Sequence, residues 1–313
     1  MIRAVMRLAI LSVAGMLVAG AAFVVLARAL GWQAGLVYFM VSLTPYAAVV
    51  ALVAALLALL LGARWLALVG VLVFAVVAVW WAPMFWQDRP AAPESGLRVM
   101  TANLAVGAGD SLTVVEAVRA HRVDVVAVQE LTSDAVSGLQ AAGLGRALPH
   151  SYLLPGEGAT GSGIWSRYRL TQRTEIEGTA FANIGTVIET HAGSVLFVGV
   201  HPLRAELLSG DSGSADRRRV TEYLRATTGP IIVAGDFNAT WDNVPVRELV
   251  EAGFIDAVDS AGAGLVRTWP SGSGRWPPVV GIDHVFSRGM PPARGVEVIA
   301  IPGSDHLAML ASF

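Results

Sequence analysis

Most of the apolar runs in this chain end on a polar side chain that a buried strand does not need. TAN ends in Asn103, AVQE in Glu130 and FVGVH in His201, while AGDFN supplies Asp236 and Asn238. GID adds Asp283, and GSDH adds Asp305 and His306. Asp236 and Asn238 follow the run Ile231–Ala234 at a spacing of two, which along extended chain aims both side chains the same way. Carboxylates, amides and imidazoles gathered at strand ends suit cleavage of a phosphate ester by water. The ester's oxygens repel a nucleophile, and a hard cation such as Mg²⁺ relieves this by binding a phosphate oxygen and the leaving group. Mg²⁺ takes oxygen ligands and keeps several waters, so one or two carboxylates suffice.

Glu130 is the first candidate for such a ligand. Asp236 beside Asn238 suits the alignment and deprotonation of a water, with His306 the other candidate for the base or a cation that binds the phosphate. Asp283 would fix the His306 tautomer and favour its charged form. His201 would contact a phosphate oxygen and stabilise developing charge. Each residue also has an ordinary structural reading. Asp236 and Asn238 could form a turn or cap, Glu130 could complement the dipole of a following helix, and Asp283–His284 could be a surface pair. The ordered set, more than any one member, points to chemistry.

The elements that must position these residues read as alternating strands and helices. Buried strands are expected at 97–104 and 124–131, separated by a helix near 111–121 and followed by one at 133–141. The runs at 161–170, 184–190 and 194–201 read as one antiparallel stretch. A helix fits 215–227, with Asp216 near its start and Arg217–Arg218–Arg219 as a solvated face rather than a nucleic-acid patch. A strand at 231–235, a helix near 244–252 and strands at 281–287, 295–301 and 306–313 complete the pattern. Many strands with few helices predict an α+β fold, two packed sheets flanked by helices. Trp269 and Trp276 lie in the loop before the 281–287 strand, as loop anchors or as the lining of a groove.

The rest of the chain is different in kind. The protein has 313 residues, no cysteine and 54% hydrophobic residues, with a mean hydropathy of +0.59. The excess lies in residues 1–87, which carry only Arg3, Arg7, Arg28 and Arg64 as charged side chains. Three stretches, 8–30, 36–61 and 66–86, are long and apolar enough to span a bilayer, with Trp80, Trp81 and Trp86 placed for its interface. Arg3, Arg7 and Arg64 favour a cytoplasmic amino terminus, and three spans then place the later domain outside the cell membrane. Arg28 dissents from this, near the outer end of the first span, where it could snorkel. The expected organisation is therefore a multi-pass anchor at 1–87, a stiff proline-containing linker at 88–96 and a catalytic domain at 97–313. From residue 91 onward 17 arginines face 23 acidic residues, which argues against non-specific binding of nucleic acid.

The ordered series TxN, QE, GxxxxSR, H, GDFN, IDHVF and SDH resembles the endonuclease/exonuclease/phosphatase superfamily, over about 97–313. The resemblance implies a four-layer α/β/β/α sandwich (DNase I-like) and divalent-metal cleavage of phosphate esters, with Mg²⁺, or Mn²⁺, as cofactor. It also implies Asn103 and Asp305 as further metal ligands beside Glu130. Relatives with an acidic residue shortly after the TxN asparagine differ from this chain, where Leu104, Ala105 and Val106 follow; one metal is expected. Three amino-terminal spans, with TWP before IDHVF, resemble the membrane-bound teicoplanin-resistance proteins, linked to removal of a phosphate from undecaprenyl diphosphate. The ten residues 87–96, which extend at most about 33–36 Å, keep the domain by the bilayer, so the expected partner is a lipid-linked diphosphate substrate. An anchored nuclease, a phospholipase C or sphingomyelinase, and a non-catalytic scaffold are the alternatives.

Overall fold

A computed structural model describes residues 2–32, 35–86, 96–191, 193–204, 212–272 and 277–313. The expected linker, apart from Gly96, and Trp276 lie outside the described residues. The chain divides into two compact units: one holds residues up to Pro83 with Asp242–Val244, and the other holds the remainder of the globular part.

The first unit contains α1 (Ile2–Leu30), α2 (Gly35–Ser42), α3 (Thr44–Leu60) and α4 (Arg64–Trp81). Its helices meet through small side chains. Ala14, Val18 and Ala54 form one buried cluster, and Ala21, Ala51 and Val73 another. Large apolar side chains such as Leu56, Leu59, Leu60 and Leu72 point outward. Small residues between helices and large apolar ones outside suit a hydrocarbon surround. Two helices, Ile2–Leu30 and Arg64–Phe85, are long and apolar enough to cross a membrane, or three if α2 and α3 count as one bent span.

The single span expected at 36–61 is in fact that pair, bent by 72°. Pro45 causes the break, because it has no N–H to offer the carbonyl one turn back and its ring crowds that carbonyl. Thr44 Oγ1 donates to the Val41 carbonyl at 2.6 Å instead, so the interruption leaves that oxygen bonded. Arg28 does not snorkel. It is buried, lies 3.9 Å from the centre of the Trp80 ring and pairs with Asp242. A charge within an apolar helix is held this way by a counter-charge.

The second unit begins with β1 (Arg98–Asn103), α5 (Ser111–Ala120), β2 (Val125–Gln129), α6 (Ser133–Ala142) and α7 (Leu144–Ala147). Then come β3 (His150–Leu154), β4 (Ser162–Ser166), β5 (Leu170–Glu175), β6 (Ile184–Thr190), β7 (Gly193–Val200) and α8 (Ser212–Ala226). β8 (Ile231–Asp236), α9 (Val244–Glu251), β9 (Ile255–Asp256), α10 (Ala257–Ala261), β10 (Asp283–Arg288), β11 (Gly295–Ala300) and β12 (Leu307–Ser312) complete it. The strands form two six-stranded sheets, ordered β11-β12-β1-β2-β4-β3 and β5-β6-β7-β8-β10-β9. Each has one parallel pair at its centre, β1 with β2 and β7 with β8.

These central strands are buried on both faces, which is why they read as unbroken apolar runs. In β2, Val125 and Ala127 join Phe197, Ile232 and Val285 between the sheets, while Val126 and Val128 pack under Val114, Val118 and Leu139 of α5 and α6. In the second sheet Val198, Val200, Ile231 and Val233 point away from the shared core and are equally buried, beneath the layer to which the crossover helix α8 contributes Val220 and Leu224. The result is a four-layer α/β/β/α sandwich.

The strand expected over 161–170 is two strands in different sheets. β4 ends at Ser166, whose Oγ accepts the Tyr168 N–H at 2.9 Å, and Arg167 pairs with Asp124 at 2.9 Å, so the chain turns before β5. Helix α8 starts earlier than expected, at Ser212, and its arginine triplet is not one solvated face. Arg217 is buried and donates to the Leu203 carbonyl at 2.8 Å, whereas Arg218 and Arg219 are exposed.

Candidate active site

The parallel pair β1–β2 delivers the first part of the site. Asn103 ends β1, buried, and its Nδ2 donates to Glu130 Oε1 and to Asp236 Oδ2, each at 3.1 Å. Its Oδ1 accepts the Ala105 N–H at 2.9 Å. Glu130 follows β2 with φ at +54°, a left-handed conformation that costs a non-glycine residue energy. That turn aims the carboxylate back at the loop after β1, where Oε2 accepts the Val106 N–H at 2.6 Å. Glu130 therefore does not cap the next helix; Thr132 does, accepting the Ala135 N–H at 3.1 Å.

The pair β7–β8 delivers the second part. Gly235 lets it close, since a Cβ there would stand 2.0 Å from the Val200 carbonyl oxygen. Asp236 then points one oxygen into an Asx turn, accepting the Asn238 N–H at 2.8 Å, while Oδ2 lies 3.6 Å from His201 Nε2 and 3.7 Å from His306 Nε2. The turn reading and the chemical reading of Asp236 thus each describe one of its two oxygens. Asn238, at φ +48°, donates to the Pro202 carbonyl at 3.1 Å.

Asp283 is the register partner of Asp236 across β8–β10 and is buried, so it is not part of a surface pair. His306 Nδ1 donates to Asp283 Oδ2 at 2.9 Å. Asp305 stands at the rim, exposed, accepting from Trp269 Nε1 at 3.1 Å and lying 4.0 Å from His306 Nε2. The fold thus joins Asn103, Glu130, His201, Asp236, Asp283 and His306 through direct contacts, with Asn238 beside them and Asp305 at the edge.

The environments of the two histidines differ. Burial opposes a charge on His306, but the carboxylates of Asp283 and Asp236 outweigh it and raise its pKa to about 10. Burial lowers the pKa of His201, with the positive His306 adding to the effect and Asp236 resisting it. Asp236 is pushed above the usual carboxylate range by burial and by Asp283, with the two histidines pulling it back. At neutral pH one imidazole is a cation, the other is neutral, and a buried carboxylate with raised proton affinity stands between them.

Two sets of residues could hold a metal. The ligand atoms of Asp236, Asp283 and His306 lie within 4.8 Å of one another. A ligating histidine must be neutral, however, and His306 is held as a cation by two carboxylates. Glu130 is the better fit. Its side chain is 17% exposed, it takes its hydrogen bonds from Asn103 and Val106, and each oxygen keeps a further lone pair. Oxygen donors of this kind suit a hard cation such as Mg²⁺. Asn103 would have to offer Oδ1, the atom that accepts from Ala105.

Several supporting residues escape sequence reasoning. Ser304 Oγ donates to the Asn103 carbonyl at 2.7 Å and accepts the His306 N–H at 3.0 Å, tying the SDH segment to the end of β1. Asn183 Oδ1 accepts the His201 N–H at 2.6 Å. His284 is buried with Nδ1 2.8 Å from Asp256 Oδ2 and Nε2 2.9 Å from the Ala239 carbonyl. Both partners are acceptors, so both ring nitrogens carry protons, consistent with a pKa that these partners raise against burial. This cation clamps the GDFN loop to the rest of the sheet. In the sequence only Ser304, within SDH, and His284, beside Asp283 in IDHVF, adjoined named residues, and neither revealed its partners.

The site can be set against known proteins. Among solved structures, a 3′ phosphatase from Neisseria bound to product DNA hairpin shares 19% identity at a TM-score of 0.56, covering 69% of this chain and 99% of that one. TDP2 from D. rerio, solved with a single-strand DNA product, shares 18% at 0.55 over 70% and 99%. Sphingomyelinase C from Streptomyces griseocarneus shares 17% at 0.51 over 69% and 99%. These likenesses show the fold, which is DNase I-like. A curated UPF0294 protein from Vibrio cholerae is 28% identical over 152 residues, which is 49% of this chain and 44% of the relative, so the match spans less than half of that protein. Residues 100–306, which contain every site residue named above, match the endonuclease/exonuclease/phosphatase family, and the chain belongs to that family.

Proposed function

We propose that this protein is a membrane-anchored, Mg²⁺-dependent phosphatase of a lipid-linked diphosphate, acting at the outer face of the cell membrane. The observation that carries the reading is the buried Asp283–His306–Asp236 arrangement beside Glu130, in a chain whose first 87 residues carry four arginines and no acid. Glu130, with Asn103 and Asp305 as neighbours, would hold the cation, which when bound supplies Lewis-acid polarisation of the phosphate. Asp236 is the general base. His306 is already protonated near neutral pH and cannot accept the water's proton, whereas burial leaves Asp236 with a raised affinity for it.

The terminal phosphorus is attacked by water as Asp236 takes a proton. The bond to the bridging oxygen breaks, leaving a lipid monophosphate and inorganic phosphate. His306, oriented by Asp283, offsets charge on the phosphoryl oxygens, and neutral His201 donates a hydrogen bond to them. Asn238 shapes the turn that aims Asp236. The lipid substrate is favoured by the apolar helices and by the acidic balance of the later residues, and the resemblance to the teicoplanin-resistance proteins points the same way.

The test is a substrate panel with the full chain in detergent: undecaprenyl diphosphate, phosphatidate, sphingomyelin and duplex DNA, each with and without Mg²⁺. Release of phosphate from the prenyl diphosphate should be fastest and should stop in chelator. Faster release of nucleotides from DNA, or of phosphocholine from sphingomyelin, would replace the lipid diphosphate reading. A reporter fused after residue 313 should be active only outside the cell.

A further inference from the structure

Four exposed arginines line an open surface cavity away from the candidate active site. The cavity, about 330 Å³, is lined by Val118, Arg119, Arg122, Arg146, Ala147 and Arg167. Arg167 follows Ser166, the register partner of Val125 at the start of β2. Glu130 lies beyond the other end of that strand, about 17 Å away at roughly 3.3 Å per residue. This cavity is therefore separate from the site described above.

The cations are crowded. A Cβ on Gly143 would stand 2.8 Å from Arg119 Nη2 and 2.8 Å from Arg146 Nη2, so those two nitrogens are at most twice that distance apart. Gly143, at φ +95°, is the left-handed cap of α6, and its missing side chain is the space both guanidiniums enter. Among the described residues Arg167 has a carboxylate partner, Asp124 at 2.9 Å. Arg119 donates to the Ala142 carbonyl at 3.5 Å, and among the described residues the side chains of Arg122 and Arg146 make no hydrogen bond or ion pair.

A cation in the last turn of a helix complements its dipole, which accounts for Arg119 at the end of α5 taken alone. It does not account for three more closing on one cavity, where acids outnumber arginines 23 to 17 from residue 91 onward. Like charges this close repel, and a multivalent anion removes the repulsion.

We infer that this cavity binds a phosphate-bearing anion of about diphosphate size, gripped by Arg119 and Arg146 with Arg122 and Arg167 at its margin. Guanidinium forks match phosphate oxygens in pairs, and the volume sits at the small end of ligand pockets. A free diphosphate and a phospholipid headgroup share this chemistry.

The experiment titrates full-length His306→Ala protein, in detergent and chelator so that the active site is disabled, with pyrophosphate and separately with monomeric short-chain phosphatidate. Calorimetry should show saturable binding that Arg119→Ala/Arg146→Ala weakens at least about tenfold. Arg119→Lys/Arg146→Lys, which keeps the charge but not the fork, should lose part of it with an unchanged melting temperature. That second pair carries the test if the alanine pair melts early. Tighter phosphatidate binding assigns the site to a headgroup, and pyrophosphate binding alone assigns it to a free anion. Equal affinities in wild-type and variant cavities, or no saturable binding of either probe, overturns the inference.

Discussion

The two parallel strand pairs, β1–α5–β2 and β7–α8–β8, have the same topology and deliver different chemistry to one place. The first presents Glu130, partly exposed and turned into a strained conformation, with Asn103 behind it. The second presents Asp236, fully buried, with a second carboxylate beside it in register and an imidazolium against both. An accessible carboxylate with spare lone pairs can take up and release a cation. A buried one surrounded by charges governs a proton. On the proposed reading, duplicate geometry yields a division of labour, set by how much water reaches each carboxylate.

The largest effect should separate the two halves directly. Asp236→Ala should lower phosphate release by about 10³-fold or more, and added Mg²⁺ should not restore it. Glu130→Gln should weaken Mg²⁺ affinity at least about tenfold, with activity recovering in excess metal. If Mg²⁺ titrations rescue both variants alike, the two carboxylates do the same job and the comparison fails.

Asp283→Asn comes next, because it leaves a buried cation with one partner fewer, at about 3–5 kcal/mol. The sign with pH follows from the raised pKa of His306, about 10 when folded. Its contribution is fully present below the ordinary histidine value near 6.5 and is lost as pH rises towards 10. Melting curves in chelator should therefore show the gap between wild type and Asp283→Asn closing between pH 6.5 and pH 10. A gap independent of pH would remove His306 from the account.

A smaller effect tests the backbone. Gly235→Ala drives a Cβ to 2.0 Å from the Val200 carbonyl and should cost about 3 kcal/mol in thermal melts. Ala102, one residue before Asn103 at the end of β1, already carries a Cβ, so Ala102→Gly should cost only about 1 kcal/mol. The smallest change is Trp269→Phe, which removes the bond to Asp305 at the rim. Its expected effect, about 1 kcal/mol or less in stability, would sharpen the contrast between the buried centre and its edge.

Much of this was readable in the residues. Central strands buried on both faces appear as short apolar runs; Asn103, Glu130, His201 and Asp236 lie at the ends of such runs and Asp283 at the start of one, so they could be named in advance. The break at Pro45 was missed because hydropathy alone does not register a lost N–H. The division of 161–170 between two sheets was missed because sheet membership depends on which strands lie alongside. His284 stayed hidden because its partners, Asp256 and Ala239, are 28 and 45 positions away.

The residue types, their order and the apolar amino-terminal stretch belong to the sequence, since apolar runs must leave water and polar strand ends must find a use. Which carboxylate meets water, which imidazole is charged and which arginines share a cavity were decided only by the tertiary structure. Proton affinities depend on distance and desolvation, and both come into being when distant segments close on one another.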